Sequence, residues 1–339
     1  MDFYGKRIAT ASSDRTVRVF DVAPTGERVQ TGVCTGHEGA VWQCAWAHPQ
    51  FGSLLATCGY DRRVLVFRES AGAGAGAPAA WVRVLAFEGH ASSVNSVAWA
   101  PHEYGLHLAC ASSDGRVSVL SHRDDDAWDV ATLADCPLGA NAVAWAPYAA
   151  SAPARRLAVA GCDGAVRVHA APAAAGDRWA LGATLARAGA SREWLRDVAW
   201  CPAGAAGAGA GAADALLLAA ASDDGSVSVW RAPARGAAAP AAEWAVTALP
   251  PFPAPVWRVS WSATGRLLAV SCADNSVTVW KEELSGATWQ REAAAAGGKG
   301  GSARAGARAR AKLTVPRAPT PPARPPAQRS RLFPSPREL

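Results

Sequence analysis

Chemistry in this chain would have to come from its histidines, aspartates and cysteines, and three constellations of them invite a test. The first is a repeated Gly-His, Gly36-His37 and Gly89-His90, each followed downstream by an aspartate at a turn, Asp61 and Asp114. A His–Asp pair can orient an imidazole as a general base, but it then needs a nucleophile to activate. None recurs beside either pair, so each reads as a buried polar link between a loop and a turn. The second is His122 with the run Asp124-Asp125-Asp126. Imidazole and carboxylates are cation ligands, yet no further ligand cluster stands near in sequence, and a solvated loop is the expectation. The third is the set of eight cysteines, 34, 44, 58, 110, 136, 162, 201 and 272, with no CxxC pair among them. That spread argues against a zinc site or a disulfide framework and for reduced, buried thiols. Ala/Gly tracts at 71–80 and 203–213 offer G-x-G spacing, but without the strand-to-helix setting or the Lys-Ser/Thr of a phosphate loop. They read as expanded loops. No cofactor, metal site or enzymatic activity is expected.

The elements that hold these residues repeat. A small residue, an aspartate, two variable residues and an alternating apolar strand recur six times, at Asp14, Asp61, Asp114, Asp163, Asp224 and Asp274. The aspartates stand 47, 53, 49, 61 and 50 residues apart. Alternation such as Val227-Ser228-Val229-Trp230 marks a half-buried strand, and Asp-Gly at 114–115, 163–164 and 224–225 marks a tight hairpin turn. A second pattern, apolar-x-x-apolar-x-Trp, precedes five of the six: Val41/Cys44/Trp46, Val94/Val97/Trp99, Ala140/Val143/Trp145, Leu195/Val198/Trp200 and Val256/Val259/Trp261. A further Trp follows each of these hairpins, at 81, 128, 179, 244 and 289. Four strands in about 50 residues is the unit of a WD-repeat β-propeller. The fold class expected is all-β, a six-bladed propeller over residues 1–293.

Net charge sharpens that division. The 339 residues carry 34 Lys+Arg and 28 Asp+Glu, or +6, which would ordinarily suggest nucleic acid or a membrane surface. From Ala294 to Leu339, however, ten basic residues face the single acid Glu338, for +9. The rest of the chain holds 24 basic and 27 acidic residues, or −3. Residues 294–339, rich in Gly, Ala, Arg and Pro, are expected to be a disordered basic tail. No direct nucleic-acid contact is expected of the propeller. No apolar run is long enough to span a membrane, and Met1 to Arg7 does not read as a secretory signal.

The ends are the informative irregularity. The sixth unit supplies four strands from its own stretch, while the first has only Phe3 and Tyr4 ahead of its hairpin and lacks most or all of an inner strand. The ring is therefore expected to be open, with no strand exchanged between the termini to clasp it. Open blade faces and unpaired strand edges invite β-structure from another chain.

Four stretches then carry a family resemblance: Gly36 to Pro49 (GHEGAVWQCAWAHP), Ser92 to Gly105 (SSVNSVAWAPHEYG), Trp194 to Trp200 (WLRDVAW) and Asp274 to Glu282 (DNSVTVWKE). They resemble the Sec-thirteen family, small WD-repeat subunits of the COPII outer coat that are shared with the Y-shaped scaffold of the nuclear pore. In that family, residues ahead of the position of Met1 provide the first blade's inner strand, and the basic tail has no counterpart. The resemblance implies an open six-bladed propeller into which a helical-solenoid partner inserts a seventh blade. That partner would be the large outer-coat subunit or a solenoid nucleoporin. It implies a scaffold at the cytoplasmic face of the endoplasmic reticulum and COPII vesicles, peripheral to the membrane through the coat, and at the nuclear envelope. The residues expected to meet the partner are Phe3, Tyr4, Ile8, Val17 and Val19 on one side, and Trp257, Val259, Val277 and Val279 on the other. The competing readings are a paralogous propeller of the nuclear pore and vacuolar complexes without a coat role, and a generic peptide-binding WD-repeat receptor.

Overall fold

The structure is a computed structural model that describes residues 1–70, 80–148, 154–172, 178–186, 193–202, 216–232, 243–283 and 288–292. The expected basic tail and nearly all of both Ala/Gly tracts lie outside the described residues. Six antiparallel sheets follow one another along the chain. The first has three strands, β1 (Arg7–Ala11), β2 (Val17–Val22) and β3 (Arg28–Cys34). The second has β4 (Val41–Trp46), β5 (Leu54–Gly59), β6 (Val64–Ser70) and β7 (Ala80–Phe87), and the third β8 (Val94–Trp99), β9 (His107–Ser112), β10 (Val117–His122) and β11 (Trp128–Leu133). The fourth holds β12 (Ala140–Trp145), β13 (Ala154–Gly161), β14 (Val166–Pro172) and β15 (Ala180–Leu185); the fifth holds β16 (Leu195–Trp200), β17 (Leu217–Ser222), β18 (Val227–Arg231) and β19 (Ala245–Ala248). The sixth holds β20 (Val256–Trp261), β21 (Leu267–Cys272), β22 (Val277–Glu282) and β23 (Trp289–Arg291). These are the blades of a propeller, and the first is incomplete.

Each blade is set by the chemistry of its central turn. The aspartate accepts the backbone N–H two residues on: Asp14 from Thr16 (3.0 Å), Asp61 from Arg63 (3.3 Å), Asp114 from Arg116 (2.9 Å), Asp163 from Ala165 (3.3 Å), Asp224 from Ser226 (2.8 Å) and Asp274 from Ser276 (2.9 Å). The residue after it takes positive φ, whether glycine (115, 164, 225), Asn275 (φ 66°), Arg15 (72°) or Arg62 (69°). An Asx side chain that satisfies its own turn makes that conformation tolerable even for arginine. Every inner strand from the second blade on begins with a bulge, since Trp42, Asn95, Asn141, Arg196 and Trp257 are skipped in the register. A bulge re-aims its side chain. These five side chains therefore stand at the end of the ring that carries the aspartate turns.

The core is divided between the blades. Along β5, β9, β13 and β17, residues of alternating parity face the preceding and the following blade, and nearly all are buried. Five apolar clusters result, each joining two consecutive blades: first to second (Val17, Val19, Leu55, Leu65, Phe67), second to third (Leu54, Val66, Leu108), third to fourth (Val117, Val119, Leu157), fourth to fifth (Val166, Leu195, Leu218) and fifth to sixth (Val227, Leu268, Val270). Burying one such Leu or Val side chain stabilises by about 1.5–3 kcal/mol. Among the described residues no comparable cluster joins the sixth blade to the first.

Tryptophans reinforce this chain of contacts. The indole Nε1 of the inner-strand Trp donates to the inner strand of the blade before it: Trp99 to Ala45 O (3.0 Å), Trp145 to Ala98 O (2.9 Å), Trp200 to Ala144 O (3.2 Å) and Trp261 to Ala199 O (3.0 Å). The second recurrent Trp packs edge-on or tilted against the first within its own blade, as in Trp46–Trp81 (5.6 Å), Trp145–Trp179 (5.6 Å), Trp200–Trp244 (6.3 Å) and Trp261–Trp289 (5.7 Å). Two sequence positions that looked like independent repeats thus form one contact.

Candidate partner-binding site

The His–Asp pairs are architectural. His37 Nδ1 meets Asp61 Oδ2 at 2.9 Å, His37 Nε2 meets Thr57 Oγ1 at 2.8 Å, and Asp61 also accepts the N–H of Glu38. Burial lowers the His37 pKa against the smaller opposing pull of Asp61; Nδ1 faces the Asp61 carboxylate and Nε2 the Thr57 hydroxyl, which also donates to Leu65 O (3.2 Å). His90 repeats the link to Asp114 (3.1 Å), but the position of Thr57 is taken by Cys110, and His90 Nε2 is left without a partner. In the fourth blade Arg167 holds the turn aspartate Asp163 (3.0 Å), and in the fifth Arg196 holds Asp223, the residue before the turn aspartate, through two hydrogen bonds of 3.0 and 2.9 Å. The fourth blade adds a pair the sequence reading missed, His169 Nε2 to Asp135 Oδ2 at 2.6 Å, with the ring 1% exposed. The Thr57 hydroxyl against His37 is fully buried, and its donation to Leu65 O makes it part of the blade's internal bonding. The cysteines are all free, and burial raises their pKa values, for Cys34 and Cys136 to about 12. Among the described residues no three His, Cys, Asp or Glu side chains group as metal ligands. His122 and Asp126 approach within 3.4 Å in an exposed turn.

The seam between the last blade and the first is the candidate site. On the sixth blade, the residues whose counterparts elsewhere face the following blade are Leu267, Ala269, Ser271, Val277 and Val279. None of the five is buried, and Val277 is 57% exposed. Strand β21 shows this as strict alternation: Leu268, Val270 and Cys272 are buried against the fifth blade, and the residues between them are not. On the first blade, the side that would receive a preceding blade carries Ile8, Thr10, Arg18 and Phe20, also without a buried residue. Two half-faces are thus left unburied where the other blades have cores, the sixth mostly apolar and the first pairing Ile8 and Phe20 with Thr10 and Arg18.

The expected contact residues divide on this geometry. Ile8, Val277 and Val279 lie on the two open half-faces. Val17 and Val19, each 1% exposed, pack against the second blade, and Val259 packs against the fifth, so these three are turned away from the seam. The reason is the two-residue period of a strand: a hairpin residue one position off belongs to the opposite face. Trp257 is the bulge residue of β20 and stands at the aspartate-turn end. Phe3 and Tyr4 stack on each other at 5.3 Å, and Phe3 meets His48 of the second blade at 4.8 Å. Phe3 lines the cavity at the finishing ends of the inner strands, with Tyr4 beside it. Phe20 and Leu267 were missed; their positions in the repeat, equivalent to Phe67 and Leu217, were the available signal.

Comparisons with known proteins agree with this architecture. The family model described as WD domain, G-beta repeat, matches residues 1–21, 27–68, 81–121 and 247–281. A protein transport protein SEC13 from Mycosarcoma maydis is 40% identical over 342 residues, covering 86% of this chain and 89% of its own length. A SEC13 from Cryptococcus neoformans is 38% identical over 86% of this chain and 91% of its own, and the Drosophila melanogaster SEC13 homolog is 40% identical over 84% and 77%. Among solved structures, a chain in the crystal structure of the mitotic checkpoint complex superposes with a TM-score of 0.60 at 19% identity, over 83% of this chain and 72% of that one. That likeness speaks to the propeller alone.

Proposed function

The chain belongs to the SEC13 family of WD-repeat transport proteins, and on that premise we propose that it is a scaffold of the COPII outer coat which captures a helical-solenoid partner through the open seam. It is a non-enzymatic structural protein of vesicle transport between endoplasmic reticulum and Golgi. In the proposal the partner contributes a three-stranded blade whose two faces cover Leu267, Val277 and Val279 on one side and Ile8 and Phe20 on the other. Apolar burial supplies the affinity and β-sheet geometry the register. The same seam serves a solenoid nucleoporin at the nuclear envelope. The observation that carries the reading is the count of cores among the described residues: five between six blades, with the apolar Leu267, Val277, Val279, Ile8 and Phe20 at the sixth place.

The test is capture of the solenoid subunit by the double variant Val277→Asp/Val279→Asp. The variant should keep the native circular dichroism and lose the partner in co-purification. A folded double variant that still brings the solenoid down would defeat the insertion reading. Fluorescent tagging then separates the two assemblies, with signal at ER exit sites for the coat and at the nuclear rim for the pore.

One observation favours a second reading, a peptide-binding receptor. Trp42 (45% exposed), Tyr60 (66%), Trp194 (49%) and Trp257 (38%) present four large aromatics at the aspartate-turn end of the ring. A receptor using them would lose its ligand on Trp194→Ala and keep it on Val277→Asp.

A further inference from the structure

One position of the repeat, seven residues before each turn aspartate, compares the junctions between blades directly. It holds Arg7, Leu54, His107, Arg156, Leu217 and Leu267, and its side chain is directed to the following blade. Leucine suits the position, since Leu54 and Leu217 are each 2% exposed. Where the residue is polar, the blades answer it. Arg7 is held by its cross-strand neighbour Asp21 (3.3 Å) and by Glu69 of the second blade (2.6 Å). His107 Nδ1 meets the Oγ of its cross-strand neighbour Ser121 at 2.8 Å. Between the fifth and sixth blades, Arg231 and Glu282, the counterparts of Asp21 and Glu69, pair with each other.

Arg156 departs from this pattern. It is 6% exposed, its Nε is buried without a partner, and it makes no ion pair among the described residues. Its cross-strand neighbour is Ala170, where Arg7 has Asp21. The counterpart of Glu69 on the fifth blade is Ala232. Both stand eight residues past a turn aspartate, and both donate their N–H to the residue ahead of the second strand, Glu69 to Ser53 O (3.0 Å) and Ala232 to Leu216 O (2.9 Å). Ala232 is buried in the cluster that joins the fourth and fifth blades. Both carboxylates of the first junction have become methyl groups, around an arginine that has stayed. The Tyr104 hydroxyl, which acts electrostatically on Arg156, is spent on Ala154 O (3.0 Å). Burial pushes the Arg156 guanidinium below its ordinary pKa, whereas the hydrogen bond to Glu69 raises that of Arg7. A buried cation without an anion is strongly unfavourable, and an apolar side chain would be easier to keep.

We propose that Arg156 anchors an anion-binding socket between the fourth and fifth blades, which takes a phosphate-class oxyanion in the space that Asp21 and Glu69 fill at the first junction. Arg7 is met by two carboxylates. One phosphate dianion carries the same charge and presents paired oxygens to the guanidinium fork. With Arg156 only 6% exposed, the group that enters is small, a free ion or the end of a phosphomonoester.

The probe is inorganic phosphate, compared with potassium chloride of equal ionic strength, and the readout is the urea midpoint of the full chain. Binding to the folded state multiplies the folded-to-unfolded ratio by one plus the ratio of phosphate concentration to Kd, on the order of 20-fold at 20 mM for a Kd of about 1 mM. Phosphate also stabilises folds in general through its exclusion from protein surfaces, so the variants set the baseline. Arg156→Leu installs the residue of the second and fifth blades; it should raise the midpoint in chloride and respond to phosphate only at that baseline. Ala232→Glu restores the acid of the first junction and should do the same, because it fills the socket from within. Glycerol 3-phosphate separates the sources: stabilisation equal to that by phosphate means that the socket takes a phosphomonoester end, stabilisation by phosphate alone means a free ion, and either bears the proposal out. Equal phosphate responses in the native chain and in Arg156→Leu overturn it. A midpoint that falls in Arg156→Leu also overturns it, since the arginine would then be paired within the chain.

Discussion

The fifth and sixth blades carry nearly the same residues at positions fifty apart and treat them oppositely. Leu217, Ala219, Ala221, Val227 and Val229 are all at most 3% exposed, because the sixth blade lies against them. Their counterparts Leu267, Ala269, Ser271, Val277 and Val279 have no described blade to meet, and Val277 rises to 57% exposure where Val227 has none. The residues toward the preceding blade behave alike in both, with Leu218 and Leu268 fully buried. Burial at the seam is therefore a property of the missing neighbour and not of the side chain. Apolar side chains kept on an exposed face with core periodicity mark a surface that is covered in an assembly.

Substituting the same residue at the two equivalent positions gives the largest contrast. Val227→Asp places an unpaired carboxylate in the core between the fifth and sixth blades and should cost roughly 4 kcal/mol or more, enough to prevent folding or lower the urea midpoint severely. Val277→Asp should change the stability of the isolated chain by no more than about 0.5 kcal/mol, as for other exposed positions. Comparable losses in urea unfolding would mean that the seam is closed in solution. The partner would then have to bind elsewhere.

An intermediate effect comes from how the blades are pinned. His37, His90 and His169 are all held below their ordinary pKa, in each case first by desolvation and against the pull of an aspartate. On acidification the unfolded chain takes up these protons before the folded one does, so stability present above about pH 6.5 is lost as pH falls through the folded-state values. Urea midpoints measured from pH 7.5 down to 5.5 should decline, and His37→Gln should flatten part of that decline. A slope unchanged in His37→Gln would show that the pin of the second blade does not govern it.

The blades are legible in the sequence because their turn chemistry is local. Each Asp satisfies an N–H two residues away, and the 47- to 61-residue spacing repeats that solution. The incomplete first blade was legible for the same reason, as a unit that starts too late. The faces of the seam were legible only in part. Val277 and Val19 read alike in sequence, as apolar residues of an alternating hairpin strand, yet one faces the gap and the other the second blade. Their parity relative to the turn aspartate distinguishes them: Val277 stands three residues past Asp274, and the first-blade residues on the receiving side, Arg18 and Phe20, stand four and six past Asp14. Bulges hid the rest, since the shift at Trp257 turns a nominal strand position toward the aspartate-turn end of the ring. His169–Asp135 arises from blade geometry and has no fixed spacing to betray it, whereas Arg167 stands four residues past the turn Asp163 just as Arg18 stands four past Asp14, a spacing that can be read directly.

The smallest effect separates the first junction from the others through the tryptophan ladder. Trp99→Phe keeps most of the apolar packing but removes a donor from Ala45 O, and should cost about 1 kcal/mol beyond the lost ring area. Trp46→Phe at the equivalent position removes a donor that has no acceptor, so the hydrogen-bond part of the cost is absent and the desolvation of Nε1 is relieved. What remains is the smaller ring against Trp81, a contact the Phe can partly keep. The two variants, compared in urea at the same pH, should therefore differ by about 1 kcal/mol with Trp99→Phe the less stable. Equal losses would mean that Trp46 Nε1 finds an acceptor in solution.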